Sequence, residues 1–245
     1  MHWRQQVVAE TGSTNTDVVQ RALAGEPEGF VLLARRQTAA RGRRGRSWQA
    51  PPGSGLMFSA LLRPAEVAAA RWSLLPLLVG VAVARGLAAA AGVGVRLKWP
   101  NDVLADERKL GGILLERVET PSGPAAIAGV GINVVLAPAD LPVPGATSLS
   151  IAGATCTDHA VLLDAVLAEL AAGYRRWRSV GGSADAVLPE YAPLCATLGR
   201  PVHVQLPGGE GVDGVAADIA PDGALLVETR TGRRAVGAGD VVHVR

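Results

Sequence analysis

"FVLLARRQTAARGRRGRSW", Phe30 to Trp48, joins an unbroken apolar run to a loop that carries six arginines in the twelve residues from Arg35 to Arg46. A continuous apolar run of this length is the texture of a strand covered on both faces. The chain resumes after the loop at "GLMFSALLR", Gly55 to Arg63, as a second strand. A buried sheet therefore passes through this region, and its flanks decide the fold class.

Upstream, "QQVVAET" reads as a short strand. "STNTDVVQRALAG" reads as a helix with Ser13 or Thr14 as N-cap and Gly25 as the stop. Downstream, a long helix is expected over Arg71 to Ala91, then a strand "VGVRLKW" turned at "PND". Two further strands follow, "KLGGILLERVE" and "AAIAGVGINVVL". "DHAVLLDAVLAELAAGYRRWRS" has helical periodicity, Asp158 as a candidate N-cap and a basic last turn that suits the helix dipole. After Pro193 the texture changes to short alternating runs separated by "PGG", "PDG" and "TGR" turns, as in a small antiparallel barrel or sandwich of about five strands. The expected fold is α+β: a mixed-sheet domain over 1–196 and a small all-β domain over 197–245.

Composition narrows the function. With 24 basic against 22 acidic side chains, the chain as a whole is no polyanion binder, and the positive charge is local. Cys156 and Cys195 make no metal spacing and no disulfide framework, which suits a reducing compartment. The N-terminus has no apolar signal region. The most apolar run, from Leu74, contains Arg85 and is expected to be a buried helix, with the protein in the cytoplasm and off the membrane. There are 22 arginines but two lysines, Lys98 and Lys109, both beside the polar segment "LKWPNDVLADERKLGGIL". A site built around a compact ammonium does not always accept a guanidinium, so both are site candidates.

The arginine loop is ambiguous by itself. Gly42 and Gly45 let backbone N–H groups turn inward as an anion nest, arginine forks match phosphate or carboxylate, and Trp48 offers a flat face. Nucleic acid, a phosphate-bearing small molecule and plain solvent all fit such a cluster. "STN" supplies hydroxyls and an amide for a neutral polar group, or is merely a cap. Asn101 and Asp102 mark a turn where a carboxylate can hold Mg²⁺ against phosphates, or are merely a turn. "GVGIN" permits close backbone approach beside Asn133, or is merely strand packing.

Taken in order, "GSTN", "RRQTAARGRRGRSW", "KWPND", "DERKLGGIL" and "GVGIN" resemble the biotin protein ligases, from about Val7 to Asn133 and on through the C-terminal β domain. The resemblance implies a catalytic domain related to class II synthetases and lipoate ligases, with an SH3-like C-terminal domain. It implies activation of biotin by MgATP to biotinyl-5′-AMP, then transfer to a lysine of a biotin carboxyl carrier domain of an acyl-CoA or pyruvate carboxylase. It also assigns Ser13, Thr14, Asn15, Gln37, Arg41, Gly42, Arg43, Lys109 and Gly112 to biotin, with Arg43 and Lys109 as the catalytic pair. Arg46, Trp48, Lys98, Asn101, Asp102 and Asn133 fall to ATP, and Asp102 to Mg²⁺.

The rival readings are a lipoate or octanoyl ligase of the same fold and a nucleic-acid-binding module. Two departures carry expectations. Ala40 stands where the family usually has glycine; if that position needs φ > 0, alanine costs roughly 1–2 kcal/mol and weakens adenylate retention. About a dozen residues precede "STN", so the operator-binding module of some ligases is expected to be absent and no DNA bound. Six arginines with glycine hinges repel one another without an anion, so an order–disorder transition of the loop is expected too.

Overall fold

The computed structural model of the chain describes every residue except Ser47, Gln49, Pro142 and Arg245. Seven strands, β1 (Arg4–Val8), β2 (Phe30–Ala34), β3 (Gly55–Leu62), β4 (Val95–Lys98), β5 (Asp102–Ala105), β6 (Arg108–Val118) and β7 (Ala125–Asn133), form one sheet. Their order is β1-β2-β3-β7-β6-β5-β4. β1 runs parallel to β2 and all other pairs are antiparallel, so the sheet is mixed as expected. β5 is the strand that the sequence reading missed. It sits inside the "PND" turn segment and is only four residues long, too short for a period to show.

Alternation along the central strands sorts the core. Leu56, Phe58, Ala60 and Leu62 of β3, with Ala126, Ala128, Val130 and Ile132 of β7, join the large core around helices α2 (Leu75–Ala91) and α3 (His159–Ser179). The opposite face carries a smaller cluster, where Leu32, Leu61 and Ile127 meet Val18 and Ala22 of helix α1 (Thr14–Leu23). α1 starts on Ser13, whose side chain accepts from the Thr16 N–H. It stops with Gly25 at φ 88°, as the cap residues suggested. Asp158 caps α3 by accepting from the N–H groups of Ala160 and Val161.

Ala69–Ala91, a 3₁₀ turn running into α2, is long and apolar enough to cross a membrane, yet it lies largely buried in this core. Arg85 reaches the surface and pairs with Glu190 at 2.7 Å. The C-terminal strands β8 (Pro201–Gln205), β9 (Gly211–Ile219), β10 (Leu225–Thr229), β11 (Gly232–Val236) and β12 (Asp240–His243) form an antiparallel sheet ordered β11-β10-β9-β8-β12. Its Val202, Val204 and Val241 join the large core, so the small sheet is packed onto the larger unit. Trp99 fastens the two: its backbone N–H donates to Thr197 Oγ1 and its indole N–H to Gly223 O, both at 3.0 Å.

Candidate active site

A cleft of about 420 Å³ opens on the α1 side of the sheet. Every candidate named from the sequence lines it: Ser13, Thr14, Asn15, Gln37, Arg41, Gly42, Arg43, Arg46, Trp48, Lys98, Asn101, Asp102, Lys109, Gly112 and Asn133. The floor is open because the glycines of "GVGIN" alternate onto this face. A Cβ on Gly129 would stand 2.1 Å from Asn15 Oδ1, and one on Gly131 would stand 3.1 Å from the Trp48 ring. These glycines therefore make room for site residues, which the strand-packing reading does not require.

One end of the cleft is lined by buried, uncharged polar side chains. Ser13, Thr14 and Asn15 at the start of α1 are all buried. The Thr14 backbone N–H and hydroxyl donate to Gln37 Oε1 at 2.7 and 3.1 Å. Asn15 Nδ2 donates to Glu116 Oε2 at 2.7 Å and to Leu114 O at 3.3 Å.

The other end is cationic. Arg43 Nη1 donates to Asn101 Oδ1 at 3.1 Å, and Asn101 Nδ2 in turn donates to Ile113 O at 3.0 Å. Lys109 Nζ lies 2.6 Å from Asp102 Oδ1, and Lys98 stands opposite Asp102 across the β4–β5 pair. Burial lowers the Arg43 and Lys98 pKa values below their ordinary ranges, with Asp102 and Asp240 acting in the opposite sense. Asn133 is buried and gives its Nδ2 to Thr147 O at 2.9 Å, while its Oδ1 has no partner among the described residues. Its free group is therefore an acceptor, suited to a ligand amino group.

The loop bears on two expectations. Four of its arginines have carboxylate partners: Arg36 pairs with Glu10, Arg41 with Glu116, and both Arg44 and Arg46 with Asp240. These carboxylates offset part of the expected repulsion, while Arg44 and Arg46 still act on Arg43 as like charges. Ala40 is absent from the positive-φ residues, which in the loop are Arg44 at 57° and Gly45 at 74°. The strain assigned to Ala40 is therefore wrong for this chain, because the left-handed turn falls four residues later.

Sequence reading missed Asp240, Val241 and Val242, which β12 contributes to the cleft, together with Val143 and Ala146. An aspartate in "GAGDVVHV" has no local mark of a site, since only folding brings it to a loop almost two hundred residues away.

A cleft with an uncharged polar end and a cationic end lined by an arginine loop suits one class: ligases that bring a carboxylate against a nucleotide phosphate. Comparison with known proteins narrows this. Residues 7–133 match the profile described as "Biotin/lipoate A/B protein ligase family", and 197–244 match "Biotin protein ligase C terminal domain". The Mycobacterium tuberculosis "Biotin--[acetyl-CoA-carboxylase] ligase" is 41% identical over 99% of this chain and 90% of its own length. A mutant of the Aquifex aeolicus biotin protein ligase, solved in complex with biotin, superposes with a TM-score of 0.83 at 26% identity, covering 98% of this chain and 99% of that one. The Aquifex aeolicus ligase in complex with biotin and ATP gives 0.79 at 27% identity, with 99% of each chain covered. The chain belongs to the biotin protein ligase family.

Proposed function

We propose that this protein activates biotin with ATP to biotinyl-5′-AMP and transfers the biotinyl group to a lysine of a biotin carboxyl carrier domain. The observation that carries this reading is the convergence of the neutral and cationic residue sets in one cleft. Biotin's urea head lies among Ser13, Thr14, Asn15, Gln37 and Arg41, and its carboxylate points to Arg43 and Lys109. A carboxylate oxygen attacks the α-phosphorus of ATP and pyrophosphate leaves. Arg43, Lys109 and Lys98 offset the repulsion between the two anions and the charge that develops in line. Gly42 and Gly112 let backbone approach the adenylate. Trp48, Arg46, Asn101 and Asn133 hold the nucleotide. The acceptor amine then attacks the acyl carbon, releasing AMP.

Magnesium fits as an ion that arrives with the phosphates. Among the described residues no three His, Cys, Asp or Glu side chains cluster as a resident metal site, and Asp102 is a single carboxylate already paired with Lys109. One carboxylate plus substrate phosphates is the usual setting for Mg²⁺, which would neutralise phosphate charge there. We divide the chain into a catalytic unit, 1–196, and a C-terminal unit, 197–245, a division supported by the separate profile matches over 7–133 and 197–244. A cytoplasmic location suits the two free cysteines. An arginine loop engaged with its own carboxylates makes a poor nucleic-acid footprint.

The deciding experiment is pyrophosphate release from ATP on adding biotin or lipoate in turn. Release with biotin alone is expected. Release with lipoate alone would favour the sister activity, and release with neither would defeat both. For the second step, a carrier domain incubated with enzyme, biotin and ATP gains one biotinyl mass while the enzyme gains none, since Lys98 and Lys109 face the anions. Transfer accelerates with pH, because an ordinary lysine of pKa about 10.4 is nucleophilic only as the free amine. An unmodified carrier or a biotinylated enzyme defeats the transfer scheme.

A further inference from the structure

Beneath the neutral end lies a hydroxyl that belongs to none of the sequence motifs. Ser59, in the middle of β3, is completely buried and stands opposite Gly129 of β7. Its Oγ lies 2.5 Å from Asn15 Oδ1 and 2.8 Å from Thr14 Oγ1. From Thr14 the contacts pass to Gln37, and from Asn15 through Glu116 to Arg41, 3.5 Å away. Gln37 and Arg41 are on the same loop, so the circuit leaves the loop, passes through the sheet and returns to it. Gly129 keeps this path open, because a Cβ there would occupy the position of the Asn15 amide.

Counting protons fixes what the circuit presents to the cleft. Asn15 Nδ2 faces two acceptors, Glu116 Oε2 and Leu114 O, which sets the amide's orientation and leaves Oδ1 toward Ser59. An amide oxygen only accepts, so the one Ser59 proton goes to Asn15. Thr14 then receives no proton from Ser59. Its own proton goes to Ser59 Oγ or to Gln37 Oε1, both inside the protein. What remains for a ligand is a lone pair on Thr14 Oγ1.

We propose that Ser59 is a positioning residue that holds the Thr14 hydroxyl as an acceptor, so that the site selects a head group bearing N–H donors. The proposal rests on the reading of this cleft as the biotin site: the cyclic urea of biotin carries two N–H groups, and the dithiolane of lipoate carries none. A buried acceptor left unmatched discriminates strongly against a ligand that lacks the donor.

The test is calorimetric titration of the full chain and of Ser59→Ala, which removes one buried oxygen and leaves strand and packing in place. The ligands are biotin, biotin methylated at each ureido nitrogen in turn, and ATP. In Ser59→Ala, biotin binding weakens about tenfold and ATP binding stays within about twofold. The preference for biotin over one of the methylated forms shrinks by a similar factor. Ser59→Cys, a weaker donor in the same place, falls between the two and provides a second variant should alanine unfold. Unchanged biotin affinity overturns the proposal. So does equal weakening of biotin and both methylated forms, which would mean loosened packing. If the unmodified chain itself fails to bind biotin, the functional reading fails, and that result is distinguishable from the failure of Ser59.

Discussion

At one end of the cleft Ser13, Thr14 and Asn15 are 6%, 4% and 5% exposed, and the hydroxyls and amide there are bonded internally. At the other end the Arg46 side chain is 59% exposed and pairs with Asp240. On the proposed function, the difference follows from what each end binds. A neutral urea can be met by a dry, preformed set of donors and acceptors, because satisfied dipoles wait there without penalty. Guanidinium and ammonium groups cannot wait so cheaply in a partly dry pocket. This chain supplies three of them with a stand-in anion: Asp102 for Lys109, and Asp240 for Arg44 and Arg46. On the proposed function, the substrates' carboxylate and phosphates take over roles that these carboxylates fill.

The largest break in this contrast comes from Arg43, which its bond to Asn101 fixes at the cationic end. Arg43→Ala lowers the rate of biotin-dependent pyrophosphate release about a hundredfold, the usual scale for one donor to developing charge. Biotin binding without ATP should change far less, and a drop confined to biotin affinity would place Arg43 at the wrong end. Next is Lys109→Arg, which keeps the charge but puts a broad fork where a point donor meets Asp102. Adenylate formation falls at least about tenfold, equivalent to ~1.4 kcal/mol. Near-normal activity would show that the sparing of two lysines in an arginine-rich chain has no functional cause.

A smaller effect is expected at Asp240. Its pairs with Arg44 and Arg46 are part-exposed, and such pairs contribute at most about 1 kcal/mol. Asp240→Asn unfastens the loop from β12, so preformed biotinyl-AMP escapes about three- to fivefold faster, while affinity for biotin alone is unchanged. Chase of labelled adenylate from the enzyme measures the first and direct titration the second. An unaltered escape rate would mean that Asp240 only decorates the rim.

How much of this was legible beforehand depends on how far apart in the chain the partners lie. Ser13, Thr14, Asn15 and Gln37 lie within two short motifs, and Lys98, Asn101, Asp102 and Lys109 within two more, so the ordered resemblance to a family singled them out where each motif alone stayed ambiguous. Helix caps, strand runs and the change of texture after Pro193 were legible because each is written in adjacent residues. Ser59 and Asp240 were not. Ser59 sits in an apolar strand as one hydroxyl among buried neighbours, and its meaning depends on α1 crossing above it. Asp240 acts on a loop encoded far upstream. Long-range pairings of this kind have no period or spacing. The sequence also misplaced the loop's strain, because a glycine expected at position 40 says nothing of where the turn goes once it is alanine.

That misplacement gives the finest comparison, between two positions in one loop. Ala40 is buried and free of positive φ, and its carbonyl accepts from the Trp48 N–H at 3.0 Å. Ala40→Gly relieves nothing there; it loosens the unfolded chain and costs roughly 0.5–1 kcal/mol of stability. Adenylate escape should stay within about twofold of the parent. Arg44 has the left-handed backbone, at φ 57° and ψ 36°, a region that glycine enters without the steric cost borne by a side chain. Arg44→Gly therefore gains about 1 kcal/mol of backbone relief and loses one part-exposed ion pair of at most similar size, together with the bond from Nη2 to Leu206 O at 3.3 Å. The two nearly cancel in stability. They do not cancel in adenylate escape, because only one of them fastens the loop to β12. Thermal melts of both variants, read beside their escape rates, separate strain from anchoring. If Ala40→Gly slows escape and Arg44→Gly leaves it unchanged, the turn lies at position 40 after all.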